Sequence, residues 1–207
     1  MIRYFYYEES ITCNDFGGKM KVTVVWSSPN KEGLTASAKN NFIEGLKNKK
    51  VEVEEIQLNK KKIENCRACG DGWGTCRSEG KCVLKDDFAE IYEQLKDSDG
   101  IVFVSAVYWS EMTECFKAFV DRLRRCEATA NHFLAEKRCV LVACAGGTGR
   151  GTLECLQQME KALTHMNMRA YDRIPVNRYN SEYMLPALVK AGEGYADKLE
   201  NGFNMYY

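Results

Sequence analysis

The sequence predicts an α/β fold: a doubly wound parallel sheet of five strands in the order 2-1-3-4-5, with helices on both faces. Two observations predict it. Short runs rich in Val and Ile recur as nearly continuous apolar segments, the pattern of strands buried on both faces. Between them lie amphipathic segments with apolar residues three and four apart, the crossover helices that parallel strands require.

Val22-Thr23-Val24-Val25-Trp26 is the first strand. After a polar stretch, Ala38, Phe42 and Leu46 recur at four-residue spacing and mark a helix of about three to four turns. The second strand runs from Val51 to Leu58. A long loop containing Cys and Gly leads to a helix with the apolar face Phe88, Ile91, Tyr92 and Leu95, and Asp86 and Asp87 suit the positive end of its dipole. Ile101 to Ser105 is the third strand, and Phe116, Phe119, Val120 and Leu123 form the next helix face. Cys139 to Ala145 is the fourth strand, followed by a helix with Leu153, Leu156, Met159, Leu163 and Met166. An edge strand around Met168 to Ile174 and a helix with Met184, Leu188, Ala191 and Tyr195 complete the pattern.

A chain of 207 residues with 45% hydrophobic content suits one sizeable core, expected over residues 20–207. Residues 1–19, rich in Tyr and Phe, read as an N-terminal extension, and they and the tail Phe203–Tyr207 are either frayed termini or arms packed on a partner subunit. Lys+Arg and Asp+Glu both number 29, so no basic surplus supports binding to nucleic acid or to an anionic membrane. No apolar run is long enough to span a bilayer, and the first twenty residues, with Glu8, Glu9 and Asp15, lack a signal peptide, so a cytoplasmic location is expected. Ten cysteines in such a chain read as reduced thiols whose clustering is informative. His132 and His165 have no nucleophile motif beside them, and no GxSxG elbow occurs.

In an open parallel sheet a ligand binds beyond the carboxyl ends of the strands, where the strand order reverses, here between the first and third strands. The loop after the first strand, Ser27-Ser28-Pro29-Asn30-Lys31-Glu32-Gly33-Leu34-Thr35, supplies hydroxyls, an amide and a glycine, and it ends at a helix N-terminus whose free N–H groups attract an anion. That suits one phosphate, although plain helix capping by Ser and Asn explains the same residues. The pattern is neither a Walker A loop nor GxGxxG. After the third strand come Ala106-Val107-Tyr108-Trp109-Ser110-Glu111, whose rings either cover something flat or pack on the neighbouring helix. After the fourth come Ala145-Gly146-Gly147-Thr148-Gly149-Arg150-Gly151, with glycines that permit close backbone approach to a ligand.

From residue 20 to about 170 the chain resembles the flavodoxin-like NAD(P)H-dependent FMN reductases and their iron-sulfur flavoprotein and quinone-reductase relatives. The family's phosphate loop resembles Ser-Pro-Arg-x-x-Gly-Asn-Thr, matched here by Ser28, Pro29, Gly33 and Thr35, with Asn30 in place of Arg and Leu34 in place of Asn. Its ring loop, Ser-Pro-Val-Tyr-Phe-Gly-Ser, is similar to Ser105 through Glu111, and its Lys-Ala-Phe-x-Asp-Arg is matched by Lys117 to Arg122. Val83 to Phe88 resembles its Cys-Val-x-x-Asp-Asp segment, and Met20 falls at the usual start of such proteins. The resemblance implies bound FMN, with Ser28, Asn30, Gly33, Leu34 and Thr35 at the phosphate and Ala106, Val107, Tyr108, Trp109, Ser110, Glu111, Gly146, Gly147 and Thr148 around the ring. A single phosphate loop favours FMN over FAD.

The implied activity is that of an oxidoreductase carrying electrons from NAD(P)H through FMN to a flavin, quinone or other small acceptor, with no catalytic side chain required. The alternatives are an iron-sulfur flavoprotein and a flavodoxin-like carrier serving protein partners, although such carriers tend to be acidic and this chain is neutral. A homodimer or homotetramer is expected, with a partner subunit closing the exposed ring face. Cys66-x2-Cys69-x6-Cys76-x5-Cys82 lies in a loop too long to be a simple connection. Four thiolates can hold a [4Fe-4S] cluster or zinc, and the alternative is a loop of reduced thiols with Trp73 tucked against the sheet. Relatives with a cluster place their cysteines in the corresponding loop, but this chain inserts Gly70 to Thr75 before the third.

Overall fold

The computed structural model describes residues 19–128, 132–135 and 137–202. The sequence's expectations for residues 1–18 and for the tail 203–207 therefore lie outside the described residues.

Five strands, β1 (Lys21–Ser27), β2 (Glu52–Gln57), β3 (Gly100–Tyr108), β5 (Arg138–Ala145) and β6 (Arg169–Asn177), pair in parallel in the order β2-β1-β3-β5-β6. With the two-residue β4 (Glu111–Met112) set aside, this is the predicted order. The sheet aligns β1 and β3 so that Ser27 faces Ser105 at their carboxyl ends. Pro175 lies in β6, an edge strand, where a missing N–H leaves no neighbouring strand unpaired.

Alternate strand residues feed two cores. Val22, Val24, Trp26, Val102, Val104, Val140 and Val142 face α1 (Leu34–Asn48) and α7 (Ser181–Asn201), meeting Phe42, Leu46, Leu188 and Tyr195. Val25, Ile101, Phe103, Cys139, Leu141 and Ala143 face α4 (Phe88–Lys96), α5 (Glu114–Glu127) and α6 (Thr152–Thr164), meeting Ile91, Phe116, Phe119 and Met159. Burial on both faces is the reason the strands read as continuous apolar runs, and each large side chain so buried contributes about 1.5–3 kcal/mol.

The helices α1 and α7 cross at glycines: a Cβ at Gly45 would stand 2.0 Å from the Val189 carbonyl oxygen, and one at Gly192 2.3 Å from that of Phe42. Tyr195 then reaches the sheet from α7, its hydroxyl accepting from Ile101 N–H at 3.0 Å and donating to the Arg138 carbonyl at 2.8 Å. This fixes α7 to β3 and β5 together.

Asp86 and Asp87 stand at the N-terminal end of α4, as the sequence expects, and Asp86 Oδ1 accepts from Phe88 N–H at 3.3 Å. Asp87 stands at the start of α4 without capping it by its side chain. Its carboxylate instead accepts from Lys62 N–H at 2.7 Å, and that of Asp86 accepts from Glu64 N–H at 2.8 Å, so both tie down the strand-like segment that enters the cysteine loop. That loop carries two short helices, α2 (Cys69–Gly72) and α3 (Thr75–Glu79).

Candidate functional site

The carboxyl ends of β1 and β3 are joined side by side by a hydrogen bond from Ser27 Oγ to Ser105 Oγ at 3.2 Å. Ser105 Oγ also accepts from Thr113 N–H at 3.2 Å, which anchors the chain leaving β3.

The loop after β1 shapes itself and leaves the helix end bare. Asn30 N–H donates to Ser28 Oγ at 3.3 Å, Glu32 N–H donates to Asn30 Oδ1 at 3.0 Å, and the Ser28 carbonyl accepts from Gln57 Nε2 at 2.9 Å. Gly33 occupies the N-cap of α1, with no side chain capping the helix and no acidic residue in its first turn. Capping by Ser28 or Asn30, one of the two explanations open from sequence, is therefore not what these residues do. The first-turn N–H groups and the positive end of a 15-residue helix face the sheet edge without a side-chain acceptor. Thr35 is buried, and burial pushes the pKa of the Cys144 thiol up to about 12 against the lowering effect of the Thr35 side chain.

The segment after β3 is a hairpin and not the open loop that the sequence suggests. Val107 pairs with Met112 and Tyr108 with Glu111, leaving Trp109 and Ser110 as a two-residue turn with φ of 52° and 67°. Turns of that class favour Asn-Gly, and a larger residue held at positive φ costs on the order of 1–3 kcal/mol. The tryptophan ring recovers none of this by packing, since Trp109 is 99% exposed. Packing against the neighbouring helix is thus excluded for Trp109. Strain of this kind, over-determined by surrounding structure, concentrates at ligand sites.

The glycine loop after β5 bridges the other two. A Cβ at Gly151 would stand 2.6 Å from Ser110 Cα, and φ there is +85°. A Cβ at Gly146 would lie 3.9 Å from Leu34 Cβ, whereas at Gly147 it would meet nothing within 4 Å. A cleft of about 390 Å³ opens between Val107, Trp109 and Ser110 on one side and Ala145, Gly147, Thr148 and Arg150 on the other. Of the residues singled out from sequence, Val107, Trp109, Ser110, Gly147 and Thr148 line this cleft. Leu34 and Gly146 join it to the helix end, Ala106 is buried within β3, and Tyr108 and Glu111 pair at the base of the hairpin. Sequence reasoning missed Arg150, which lines the cleft, and Arg178, whose Nη1 donates to the Gly147 carbonyl at 3.0 Å. It also missed Tyr179, whose ring lies 2.8 Å from where a Cβ on Gly149 would stand. The rule that ligands sit beyond strand ends, applied to the last strand as well, would have found Arg178 and Tyr179.

Cys66, Cys69, Cys76 and Cys82 all line a second, smaller cavity, together with Arg122, Arg125 and Cys126 from α5. No disulfide joins the described cysteines. Ala68, Gly70 and Gly72 have φ of 45°, 56° and 102°, so the backbone curls tightly through the segment. Trp73 is not tucked against the sheet: it lies between two cations, 4.7 Å from Arg125 and 5.4 Å from Arg77, and Arg125 donates to the Gly72 carbonyl. Arg122 forms a two-point pair with Asp86, at 2.6 and 2.8 Å, with side-chain exposures of 1% and 0%. Burial raises the pKa of Asp86, but bonds from Arg122 and from the Glu64 N–H outweigh it and hold the carboxyl below its usual range. Burial pushes the Cys126 thiol up to about 12.

The chemistry of the donor set fits an iron-sulfur cluster: soft sulfur ligands, flanking cations, and a buried Arg122 Nε that finds no acceptor. Among the described residues no three Cys, His, Asp or Glu side chains are close enough to hold a single metal ion. Nor is any helix of the described residues long and apolar enough to cross a membrane.

Four known proteins and families resemble this chain in sequence or fold. An iron-sulfur flavoprotein of Archaeoglobus fulgidus is 34% identical over 104 residues, 50% of this chain and 46% of that protein, so the chain spans about half the length of this curated relative. An NAD(P)H:quinone oxidoreductase from Methanothermobacter marburgensis has a TM-score of 0.67 at 16% identity, covering 91% of this chain and 100% of that one. A flavodoxin from the domain Archaea has a TM-score of 0.60 at 17% identity, covering 87% and 99%, and the fold is flavodoxin-like. The NADPH-dependent FMN reductase family matches residues 20–179, a span that includes all three sheet-end loops and the four-cysteine segment, and the chain belongs to that family.

Proposed function

We propose that this protein is an FMN-dependent oxidoreductase that takes electrons from NADPH or NADH and delivers them to a flavin, quinone or other small acceptor. The observation that carries the reading is the uncapped N-terminus of α1 opening beside a cleft between the Trp109 hairpin and the glycine loop. FMN, when bound, supplies hydride acceptance at N5 and one- or two-electron release. The chain's own residues bind and orient it. The first-turn N–H groups of α1 and the Ser28–Gly33 loop receive the phosphate. Gly146 and Gly147 admit the backbone close to the ring, and Val107, Trp109 and Ser110 flank it. Arg150 lines the cleft, and its charge suits an anionic group of the nucleotide.

The exposed rings of Trp109, Tyr179 and Tyr183 support a homodimer or homotetramer in which a partner subunit covers the ring face. The neutral charge balance supports small-molecule partners over nucleic acid or membrane, and a cytoplasmic location remains part of this reading.

A second reading, an iron-sulfur flavoprotein, is favoured by one specific observation: the four loop cysteines line a single cavity with two arginines. There Cys66, Cys69, Cys76 and Cys82 would hold a [4Fe-4S] cluster, which supplies one-electron transfer when present.

The test is the visible spectrum of anaerobically purified protein before and after addition of NADPH or NADH, with iron and acid-labile sulfide measured on the same sample. Bleaching of a flavin band by a nicotinamide nucleotide supports the reductase, and a flavin band that neither nucleotide bleaches overturns it. Iron and sulfide near zero after reconstitution overturn the second reading.

A further inference from the structure

The four-cysteine cavity has an arginine in its wall, and that arginine is held with one buried nitrogen, Nε, left without an acceptor. Arg122 projects from α5 with its guanidinium 4.3 Å from the Phe88 ring centroid and its side chain 1% exposed. Nη1 and Nη2 are committed to Asp86, and Nη1 also donates to the Glu64 carbonyl at 3.1 Å. Nε is buried and has no hydrogen-bond acceptor, although Arg122 and Cys82 line the same cavity. The Cys82 sulfur lies close enough to be one of the groups that raise the Arg122 pKa, after burial, which lowers it, and Asp86, which raises it. A buried N–H left without a partner costs about 1–3 kcal/mol, more when it belongs to a charged group. Two-point pairing with Asp86 also fixes the guanidinium plane, so Nε cannot turn elsewhere without breaking that pair.

We propose that Arg122 is a positioning residue for an anionic sulfur site, its Nε–H held by Asp86 to donate to the Cys82 sulfur or a sulfide beside it when these cysteines carry a cluster. The inference rests on the iron-sulfur reading above and adds a consequence to it. Asp86 cancels most of the net charge of Arg122, which leaves a local dipole with its positive end toward the cysteines. Hydrogen bonds to ligating sulfur and positive potential in a low-dielectric site both stabilise added negative charge, so they raise the reduction potential. The step affected is uptake of one electron from the reduced flavin, or from dithionite in a titration, with no bond formed or broken at Arg122.

The experiment compares cluster midpoint potentials in reconstituted wild-type protein, Arg122→Lys and the double variant Asp86→Asn with Arg122→Met. The lysine keeps a charge but has no Nε–H, and the double variant removes both charges so that neither is left buried alone. The expected result is wild-type iron and sulfide in both variants, with potentials shifted to more negative values and an altered electron paramagnetic resonance signal for the reduced cluster. Potentials equal to wild type in cluster-loaded variants would overturn the proposal. So would variants with a wild-type far-ultraviolet spectrum that hold no iron, because Arg122 would then be scaffold alone. Wild-type protein without iron and sulfide removes the cluster reading and the proposal with it, an outcome that the iron assay separates from the others.

Discussion

The Arg122 guanidinium and the Asp86 carboxylate, 36 residues apart in sequence, meet through two parallel hydrogen bonds of 2.6 and 2.8 Å beneath the four-cysteine loop. Asp86 also accepts from Glu64 N–H, so this pair ties α5 to the segment that enters the loop.

Breaking the pair from one side should be costly. Asp86→Asn leaves the Arg122 charge buried and is expected to destabilise the fold by about 3–5 kcal/mol at neutral pH, as measured by urea unfolding. The Asp86 pKa is held below its usual 3.8 in the folded protein, so its contribution is full above about pH 4 and is lost as the pH falls through the lower folded value. The stability difference between wild type and Asp86→Asn should therefore shrink on acidification below pH 4 and stay constant between pH 5 and pH 8, at about the precision of such titrations.

Gly151→Ala would place a methyl group 2.6 Å from Ser110 Cα at a residue with φ of +85°. The expected outcome is a loss of about 1–3 kcal/mol in stability together with FMN affinity weakened at least about tenfold, because the hairpin must move off the glycine loop. Paired thermal unfolding and FMN fluorescence titrations measure both.

Most of the fold was legible because the central strands β1, β3 and β5 are buried on both faces, which writes each as an apolar run such as Ile101 to Val104. The hairpin was not legible. Its turn is Trp109-Ser110, neither of them a residue that signals positive φ. The sheet-end loops were found because the position of a ligand follows from topology. Cys126 and Arg122 joined the cysteine loop through tertiary packing across α5, which no local pattern encodes. Asp86 stands at the start of α4 as its position in the sequence implies, but its pair with Arg122 joins residues distant in sequence and has no local signature.

Trp109→Gly separates function from stability. The tryptophan is 99% exposed at φ of 52°, so removing it forfeits no packing, and relief of strain offsets the greater chain entropy of glycine. Apoprotein stability should change by less than about 1 kcal/mol while FMN affinity falls, as read by thermal unfolding and flavin titration on the same preparations.

Gly192→Leu tests the frame behind the site. A Cβ there would stand 2.3 Å from the Phe42 carbonyl oxygen, and α1, whose N-terminus is the proposed phosphate site, would have to shift against α7. Overpacking of this kind costs about 1–3 kcal/mol or more, and melting temperature is the readout.

The uncapped end of α1 is the proposed phosphate site, and titration of the apoprotein with FMN and with riboflavin, in wild type and in Gly33→Glu, tests it directly. One FMN should bind per chain, with riboflavin weaker by about a hundredfold or more, as expected for loss of a charge-assisted phosphate contact, and with no FMN binding when a carboxylate stands at Gly33. Equal affinity for FMN and riboflavin, or undiminished FMN binding by folded Gly33→Glu protein, would contradict it.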